Sequence, residues 1–258
     1  MYEYDQLSIY RGRDIPITKT ITVTQPSIGQ IELFGEQKYF NAIHTLTSVG
    51  ADLKWQLYDL GIDYTEIDDY ELFLKLTSQL LKSRKNEITD NITEETKQDL
   101  LCNPLGLILN IDLSDYIPCR DTTNDKIILY NKVTDSTIDK AVYLRIVDII
   151  RKMHGLKRNN EMPGNEATKM ILIEDARDDY NISKNKPYKS SLLPLVSSLR
   201  CSGFKDIWDM KINEFFDSLK RLNKIQESTL LLQGAYSGFA NLKGVDKSRL
   251  NWSGNLDD

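Results

Sequence analysis

The chain has 258 residues, of which 40% are apolar and 28% charged, and its 38 acidic and 33 basic residues give a net charge of −5. This composition excludes an intrinsically disordered chain and predicts a globular fold with a sizeable core. The mild acidity argues against sequence-independent nucleic-acid binding, which depends on many phosphate contacts. The three cysteines are far apart and form no CxxC pair, as expected for free thiols in a reducing cytoplasm.

The first part of the chain is predicted to form β-structure and then helices. Residues Leu7–Val23 are rich in β-branched side chains and are interpreted as a hairpin that turns at Arg11–Asp14. Ser27 and Gln30 have the spacing of a capping box, which predicts that a helix begins at Ile28. The helices predicted next in the chain are Glu36–Ser48, Asp52–Leu60 and one that begins at Asp68 and ends near Lys82.

The middle of the chain is predicted to contain a second β-element and a long helix. Two apolar stretches, Leu105–Leu113 and Lys126–Tyr130, are interpreted as strands, and the second is expected to pair with Ser136–Ile138. Asp139 is an N-cap and Gly155 a C-cap for a helix over Lys140–His154, whose apolar residues recur at helical spacing.

The last hundred residues are predicted to be helical. Phe204–Ile225 carries large apolar side chains at steps of three and four, and Ser228 is interpreted as the N-cap of a separate helix over Thr229–Tyr236. The other predicted helices are Glu166–Ile182 and one from Ser190 or Ser191 to Leu199. The chain is therefore predicted to be an α+β protein, predominantly α-helical, with small antiparallel β-elements near the N-terminus and in the middle.

Residues 157–165 contain Pro163-Gly164 and are interpreted as a loop between two regions. The first region, residues 1–156, is the N-terminal α+β region, and the second, residues 157–258, is the C-terminal helical region. We expect the two regions to pack as one globular unit.

Two groups of polar residues have alternative readings. Glu174, Asp175, Asp178 and Asp179 share a helical segment and could hold a divalent cation, although a solvated helix face is the favoured interpretation. The two histidines, His44 and His154, lie outside any recognised hydrolase or metalloprotease motif, so structural roles are favoured for both. The sequence therefore predicts no catalytic residue, no metal site and no cofactor.

Two other segments are candidates for partner binding. The basic connector KNKPYK carries Lys184, Lys186 and Lys189 around Tyr188 and is read as an exposed connector or protein contact ahead of a phosphate contact. The aromatic residues of the glycine-punctuated C-terminal part are Tyr236, Phe239 and Trp252. For Trp252, docking on its own domain and docking on a partner are equally open, since both bury the ring.

Three stretches of the chain resemble proteins of tailed bacteriophages from low-GC Gram-positive hosts. They are QPSIGQIELFGEQKYF from Gln25, NKPYKSSLLPLVSSL from Asn185 and LLLQGAYSGFANLKGVDKSRLNW from Leu230. The pattern is similar to that of tail-morphogenesis proteins of the tail-assembly-chaperone type. The resemblance implies action beside the tape-measure protein and the growing tail tube, and it brings no active-site residues with it.

Three functions are carried forward as hypotheses. The first is a tail-assembly factor that shields apolar segments of the tape measure, which predicts an exposed apolar groove. The second is a structural virion protein of the tail or neck. The third is a small nucleic-acid-binding regulator or metal-dependent enzyme, which would need a pocket of convergent polar groups or a positively charged face.

The expected location is the host cytoplasm, with the virion as the alternative. The first residues lack the apolar core of a signal peptide, and no apolar run approaches the roughly 18 residues of a membrane span. Self-association into a homo-oligomer is a further expectation, and no membrane contact is expected.

Overall fold

The structure is a computed structural model that describes residues 6–87, 105–121, 126–239, 245–254 and 256, without the side chains at 6, 79–87 and 247. The helices are α1 (Gln6–Tyr10), α2 (Ile28–Phe34), α3 (Glu36–Thr47), α4 (Lys54–Asp59), α5 (Asp69–Glu87), α6 (Lys140–His154), α7 (Glu166–Ser183), α8 (Leu192–Cys201), α9 (Ile212–Tyr236) and α10 (Lys247–Leu250). The strands are β1 (Ile15–Pro16), β2 (Thr22–Val23), β3 (Ile117–Arg120), β4 (Ile127–Asn131) and β5 (Ser136–Ile138). The protein is thus a predominantly helical α+β protein, as predicted.

The strands form two small antiparallel sheets. The pair β1–β2 aligns Ile15 with Val23, and the three-stranded sheet has the order β3-β4-β5. In the larger sheet Ile117 lies opposite Tyr130, and Leu129 lies opposite Ile138. The predicted pairing of the strand at Lys126–Tyr130 with Ser136–Ile138 is therefore confirmed, whereas β3 was not predicted.

The main core lies between the first sheet, α2, α3, α6 and the beginning of α9. Its most completely buried large side chains include Tyr39, Tyr143, Ile150 and Phe215. Helix α6 contributes its whole apolar face, and it has the predicted bounds because Asp139 accepts the Val142 N–H and Gly155 adopts a left-handed conformation.

The capping box at the start of α2 is also confirmed. The Ser27 hydroxyl accepts the Gln30 N–H at 3.2 Å, and the Gln30 side chain accepts the Ser27 N–H at 2.8 Å. These two reciprocal hydrogen bonds satisfy backbone donors that the first turn of a helix leaves without intrahelical partners.

Two apolar segments are not strands as predicted. Leu7–Tyr10 lies in α1, so the hairpin is shorter and turns after Pro16, where the Ile17 and Thr18 N–H groups both donate to the Ile21 carbonyl. Leu105–Leu113 forms turns and makes a single bridge from Leu109 to Val23. The hydrogen bonds that hold this stretch to β2 include the one in which the Asn110 side chain accepts the Thr22 N–H at 2.7 Å.

Two helix ends also differ from the sequence interpretation. Helix α5 continues through residues 83–87, where a loop was predicted; the helix predicted near Thr93 lies outside the described residues. The two predicted C-terminal helices are one continuous helix, α9, which begins only at Ile212. Ser228 is buried within it, and its hydroxyl donates to the Leu250 carbonyl at 2.9 Å.

A smaller second core lies beside the main one. It consists of Val49, Ala51, Leu57, Tyr64, Leu72 and Ile173. Helix α7 contributes Ile173 and contacts α4, so an element of the predicted C-terminal region packs on elements of the N-terminal region. The division at residue 156 stays a prediction.

Among the helices described, none combines the length and apolar character that crossing a bilayer would require.

Candidate functional site

A groove of about 830 Å³ lies between α5, the three-stranded sheet and the start of α6. The apolar residues that line it include Leu74, Leu113, Pro118, Ile127, Ile128 and Leu129, and the polar residues that line it include Asp68, Glu71, Lys75, Asp139 and Lys140. Its volume is within the usual range of ligand-binding sites in proteins.

Two tyrosines fix the walls of the groove relative to each other. The Tyr70 hydroxyl donates to the Ile138 carbonyl at 2.6 Å and joins α5 to β5. The Tyr116 hydroxyl donates to the Ser136 hydroxyl at 2.9 Å and joins the segment before β3 to β5. Burial raises the pKa of Tyr70 to about 12, so this hydroxyl keeps its proton and its hydrogen bond at neutral pH.

The acidic residues of the groove that begin helices are already engaged within the chain. Asp68 accepts the Tyr70 N–H at 3.0 Å and forms an ion pair with Lys140, while Asp139 caps α6. Burial raises the pKa of Asp68, but its hydrogen bonds to Lys140 and the Tyr70 N–H outweigh that effect and hold the pKa below its usual value. These two carboxylates therefore serve as helix caps rather than as a free acid–base pair.

The hydroxyl groups along α5 are also satisfied locally. Thr77 donates to the Phe73 carbonyl, and Ser78 donates to the Leu74 carbonyl at 2.8 Å. The accessible surface that remains around Leu74, Pro118 and Ile127 is mainly apolar. Binding to such a surface is most favourable for a partner that is itself apolar. A polar ligand would lose its hydrogen bonds to water there without forming new ones.

The two histidines occupy unlike environments. His154 is buried, with Nδ1 at 2.7 Å from the Ile150 carbonyl and Nε2 at 2.8 Å from the Tyr39 hydroxyl. A carbonyl can only accept, so Nδ1 carries the proton and Nε2 accepts from Tyr39. Burial lowers the pKa of His154 to about 4. His44 is exposed on α3 and lies 2.8 Å from the Ser48 hydroxyl through Nδ1.

The acidic run of α7 lies on the solvent side of the helix. Glu174, Asp175, Asp178 and Asp179 are all exposed, and none forms an ion pair with a residue that the structure describes. Within residues 6–87, 105–121, 126–239 and 245–254, no group of three or more His, Cys, Asp or Glu side chains is placed to hold a metal ion.

The basic connector is exposed along its whole length. It follows α7 directly and contains Lys184, Lys186, Tyr188 and Lys189. The Lys186 N–H donates to the Ser183 carbonyl at 2.9 Å. Glu36 at the start of α3 lies beside this segment and accepts the Leu192 N–H at 2.9 Å. Tyr188 remains exposed, but the partial loss of water around its hydroxyl and the nearby Glu36 carboxylate raise the pKa of that hydroxyl.

The C-terminal aromatic residues are exposed at two places: Tyr236 and Phe239 at the C-terminal end of α9, and Trp252 beside Arg221 in the first half of that helix. Tyr236 is 88% and Phe239 94% exposed, while Trp252 is 54% exposed. The chain around Trp252 lies against α9, because Arg221 Nη1 donates to the Trp252 carbonyl at 2.6 Å and to the Gly254 carbonyl at 2.7 Å. The backbone of this segment is thus docked on its own domain, while the indole ring remains half-exposed.

From their apolar character, five aromatic residues are predicted to lie in the core, namely Trp55, Tyr58, Trp208, Phe215 and Phe216. In the structure they divide into two groups. Phe215 is fully buried, and Trp55 packs on Tyr180 with ring centroids 5.0 Å apart. Tyr58 and Trp208 are each 45% exposed, so the prediction that they belong to the core is wrong. Trp208 lies in a 3₁₀ turn before α9 begins, which removes it from the helix face that Phe215 shares.

The place of the groove in the fold was not predicted from the sequence, although one signal pointed to it. Ile127, Ile128 and Leu129 are consecutive apolar residues in β4, and successive side chains of a strand point to opposite faces. A strand of this kind has apolar side chains on both faces, so the face away from the core must be covered by another element or left as an apolar surface.

The predicted binding residues are not among those that line the groove. No hydrogen bond, ion pair or ring contact among the described residues joins the basic connector to Tyr236, Phe239 or Trp252. Their assignment to partner binding stays a prediction.

No family model, curated protein or solved structure matches this chain.

Proposed function

We propose that this protein is a chaperone-like assembly factor for bacteriophage tails and that it binds an apolar segment of a tape-measure or tail-tube protein in the groove beside the three-stranded sheet. The observation that carries the proposal is a groove of about 830 Å³ whose accessible surface is mainly apolar. The resemblance of the three stretches at Gln25, Asn185 and Leu230 to tail-morphogenesis proteins supports the choice of partner.

The chemistry of the groove favours an amphipathic helix as the occupant. The hydroxyls of Tyr70, Thr77 and Tyr116 already donate within the chain, so few donors remain for a polar ligand. The backbone groups of a helix already form hydrogen bonds with one another, so an amphipathic helix needs no hydrogen bonds from the groove. It can place a row of apolar side chains against the groove. Charged groups at the rim, such as Glu71 and Lys75, then face the polar side of that helix.

The proposed activity requires no bond-making residue and no cofactor. It requires only that apolar surface of the partner be removed from water until the tail assembles, which the groove can do through contact area alone. The proposed location is accordingly the host cytoplasm, where tails are built.

A structural role in the tail or neck would use the same kind of contact. The two roles differ in whether the protein leaves before the particle is complete. Mass spectrometry of purified virions and of the infected-cell lysate separates them: an assembly factor is abundant in the lysate and absent from the particle, whereas a structural protein is present in both.

Ile127→Glu tests the groove directly. Ile127 lines the groove and is 50% exposed, so a carboxylate there is compatible with the fold but places a charge against the apolar occupant. Co-expressed with the tape-measure protein of the same phage, this variant is expected to retain about a tenth or less of the bound partner, a loss of about 1.4 kcal/mol or more.

Val133→Glu provides the matched control. Val133 is 94% exposed in the turn between β4 and β5 and does not line the groove. The control should bind the partner as the wild-type protein does. Equal binding by Ile127→Glu and the wild type would contradict the proposal, and so would equal losses in both variants, because a charge in the hairpin would then act regardless of position.

A further inference from the structure

The outer face of α7 carries apolar and acidic residues in one stripe. Ile171, Asp175, Asp178 and Ile182 follow at steps of four, three and four, which places them along one side of the helix. The opposite side is turned inward, where Ile173 is buried and Tyr180 packs on Trp55. The stripe is therefore directed away from the rest of the molecule.

The two isoleucines of this stripe are accessible. Ile171 is 57% and Ile182 61% exposed, with the two aspartates between them. Neither Asp175 nor Asp178 forms an ion pair with a described residue, and Lys186 and Lys189 of the connector likewise have none. Opposite charges thus lie near each other in the chain without neutralising each other.

In sequence, the charges lie at equal separations on either side of Ile182. Asp178 and Asp175 precede it by four and seven residues, and Lys186 and Lys189 follow it by four and seven. The hydrogen bond from the Lys186 N–H to the Ser183 carbonyl keeps the chain in a turn immediately after α7, so Lys186 stays close to the helix end. A two-fold axis near Ile182 would bring the acids of each copy opposite the lysines of the other.

We propose that the protein forms a two-fold symmetric dimer through this self-complementary face, which comprises Ile171, Asp175, Asp178, Ile182, Lys186 and Lys189. In the dimer Ile182 packs on Ile182 of the second copy, and Asp178 and Asp175 of each copy pair with Lys186 and Lys189 of the other. Charge complementarity selects a second copy as the occupant, since a two-fold contact satisfies both charged groups of both chains at once.

Charge reversal tests this arrangement. Asp175→Lys with Asp178→Lys makes the face basic, and Lys186→Glu with Lys189→Glu makes it acidic. Each double variant is expected to self-associate about tenfold or more weakly than the wild type, because like charges then meet at two symmetric places. Sedimentation velocity at physiological salt measures the dimer fraction, and the wild-type dimer is expected to dissociate as salt is raised.

Mixing the two double variants provides the decisive measurement. In the mixed dimer every lysine again faces a carboxylate, so an equimolar mixture should form a one-to-one heterodimer with wild-type stability. Glu32→Lys with Glu66→Lys changes the net charge by the same amount as the first variant at exposed positions away from this face, and it should dimerise like the wild type.

The proposal is overturned by any of three results: a wild-type protein that is monomeric at physiological salt, double variants that dimerise normally, or a mixture that stays monomeric. Dimerisation is independent of the groove, so Ile127→Glu should dimerise normally. A failure of this inference therefore leaves the proposed function standing, and the converse also holds.

Discussion

The main core and the smaller core beside α4 are stabilised in different ways. The main core joins residues from the first sheet and from α2, α3, α6, α8 and α9, and large side chains such as Tyr39, Tyr143 and Phe215 are almost completely buried there. Within the part of the chain that the structure describes, the smaller core has six buried residues, among them Leu57 and Ile173. Burial of apolar area therefore stabilises the main core more than the smaller core, because this stabilisation scales with the area removed from water.

Ion pairs surround the smaller core. Those joining its elements are Lys54 with Glu161, Asp63 with Lys169, Asp69 with Arg158, and Asp59 with Arg177. The hydrogen bond from Lys169, at 2.6 Å, lowers the pKa of Asp63 to about 2. Charged contacts thus connect α7 and the loop before it to the N-terminal elements where little apolar surface is available. We therefore expect added salt to lower the stability of the contacts around the smaller core and to leave that of the main core unchanged.

Phe215→Ala is expected to have the largest effect, since it leaves a cavity in the main core. Phe215 is fully buried at the start of α9, so we expect a loss of about 4 kcal/mol in the free energy of unfolding. Chemical denaturation measures this value. Phe239→Ala is the matched control, because the same side chain is 94% exposed there and its removal should change stability by less than about 0.5 kcal/mol. Equal effects at the two positions would contradict this view of the core.

Acidification is expected to weaken the main core through His154. Its pKa is lowered from 6.5 to about 4 in the folded protein, mainly by burial. Above pH 6.5 neither the folded nor the unfolded state binds this proton; between pH 6.5 and 4 the unfolded chain binds it and the folded protein does not. Stability is therefore lost as the pH falls through this window, by about 3 kcal/mol from this group.

His154→Gln separates this effect from that of other titrating groups. The variant has no imidazole to protonate, so its free energy of unfolding should fall less steeply than that of the wild type between pH 6.5 and 4. Parallel pH profiles for the two proteins would show that the buried histidine does not control acid stability.

The smallest effect is expected at the edge of the smaller core, from Arg177→Met. Arg177 pairs with Asp59, and both side chains are more than one-third exposed, so solvent screens their attraction. We expect a loss of about 0.5 kcal/mol at low salt, which disappears in high salt. Urea denaturation at two salt concentrations measures it. A loss that persists at high salt would mean that the packing of the arginine stem matters more than its charge.

The elements that were predicted correctly are those with strong local signals. Helix α6 has an aspartate that caps its first turn, a glycine that ends it and six apolar residues at helical spacing, and its bounds follow from these alone. The hairpin β4–β5 is likewise local, because its two strands are joined by four residues. In both cases the hydrogen bonds that fix the element connect residues close in sequence.

The errors occur where a distant segment supplies the stabilising contact. Ser228 is a good N-cap by residue type, yet it lies inside α9, because the Leu250 carbonyl accepts its hydroxyl and the chain after residue 245 covers it. Leu109 has the composition of a strand, yet its stretch makes only one bridge, to Val23. Residue types do not reveal which segments will meet.

The two candidate binding surfaces, the basic connector and the groove, also differ in whether they depend on local sequence or on contacts between distant segments. The exposed and charged character of the basic connector could be predicted from Lys184, Lys186 and Lys189, and those residues are exposed in the structure. The position of the groove could not be predicted, because it requires α5, β3 and the start of α6 to be placed at the correct distances, and β3 itself was missed.

By itself, the sequence determined the fold class, the capped helices and the local hairpin, because capping bonds and apolar spacing act within a few residues. Only the tertiary structure decided where α9 begins and ends, which apolar run pairs as a strand, and where the apolar groove lies. These features depend on contacts between segments far apart in the chain. Such contacts are stabilised by the surface that two segments bury against each other, so neither segment encodes them alone.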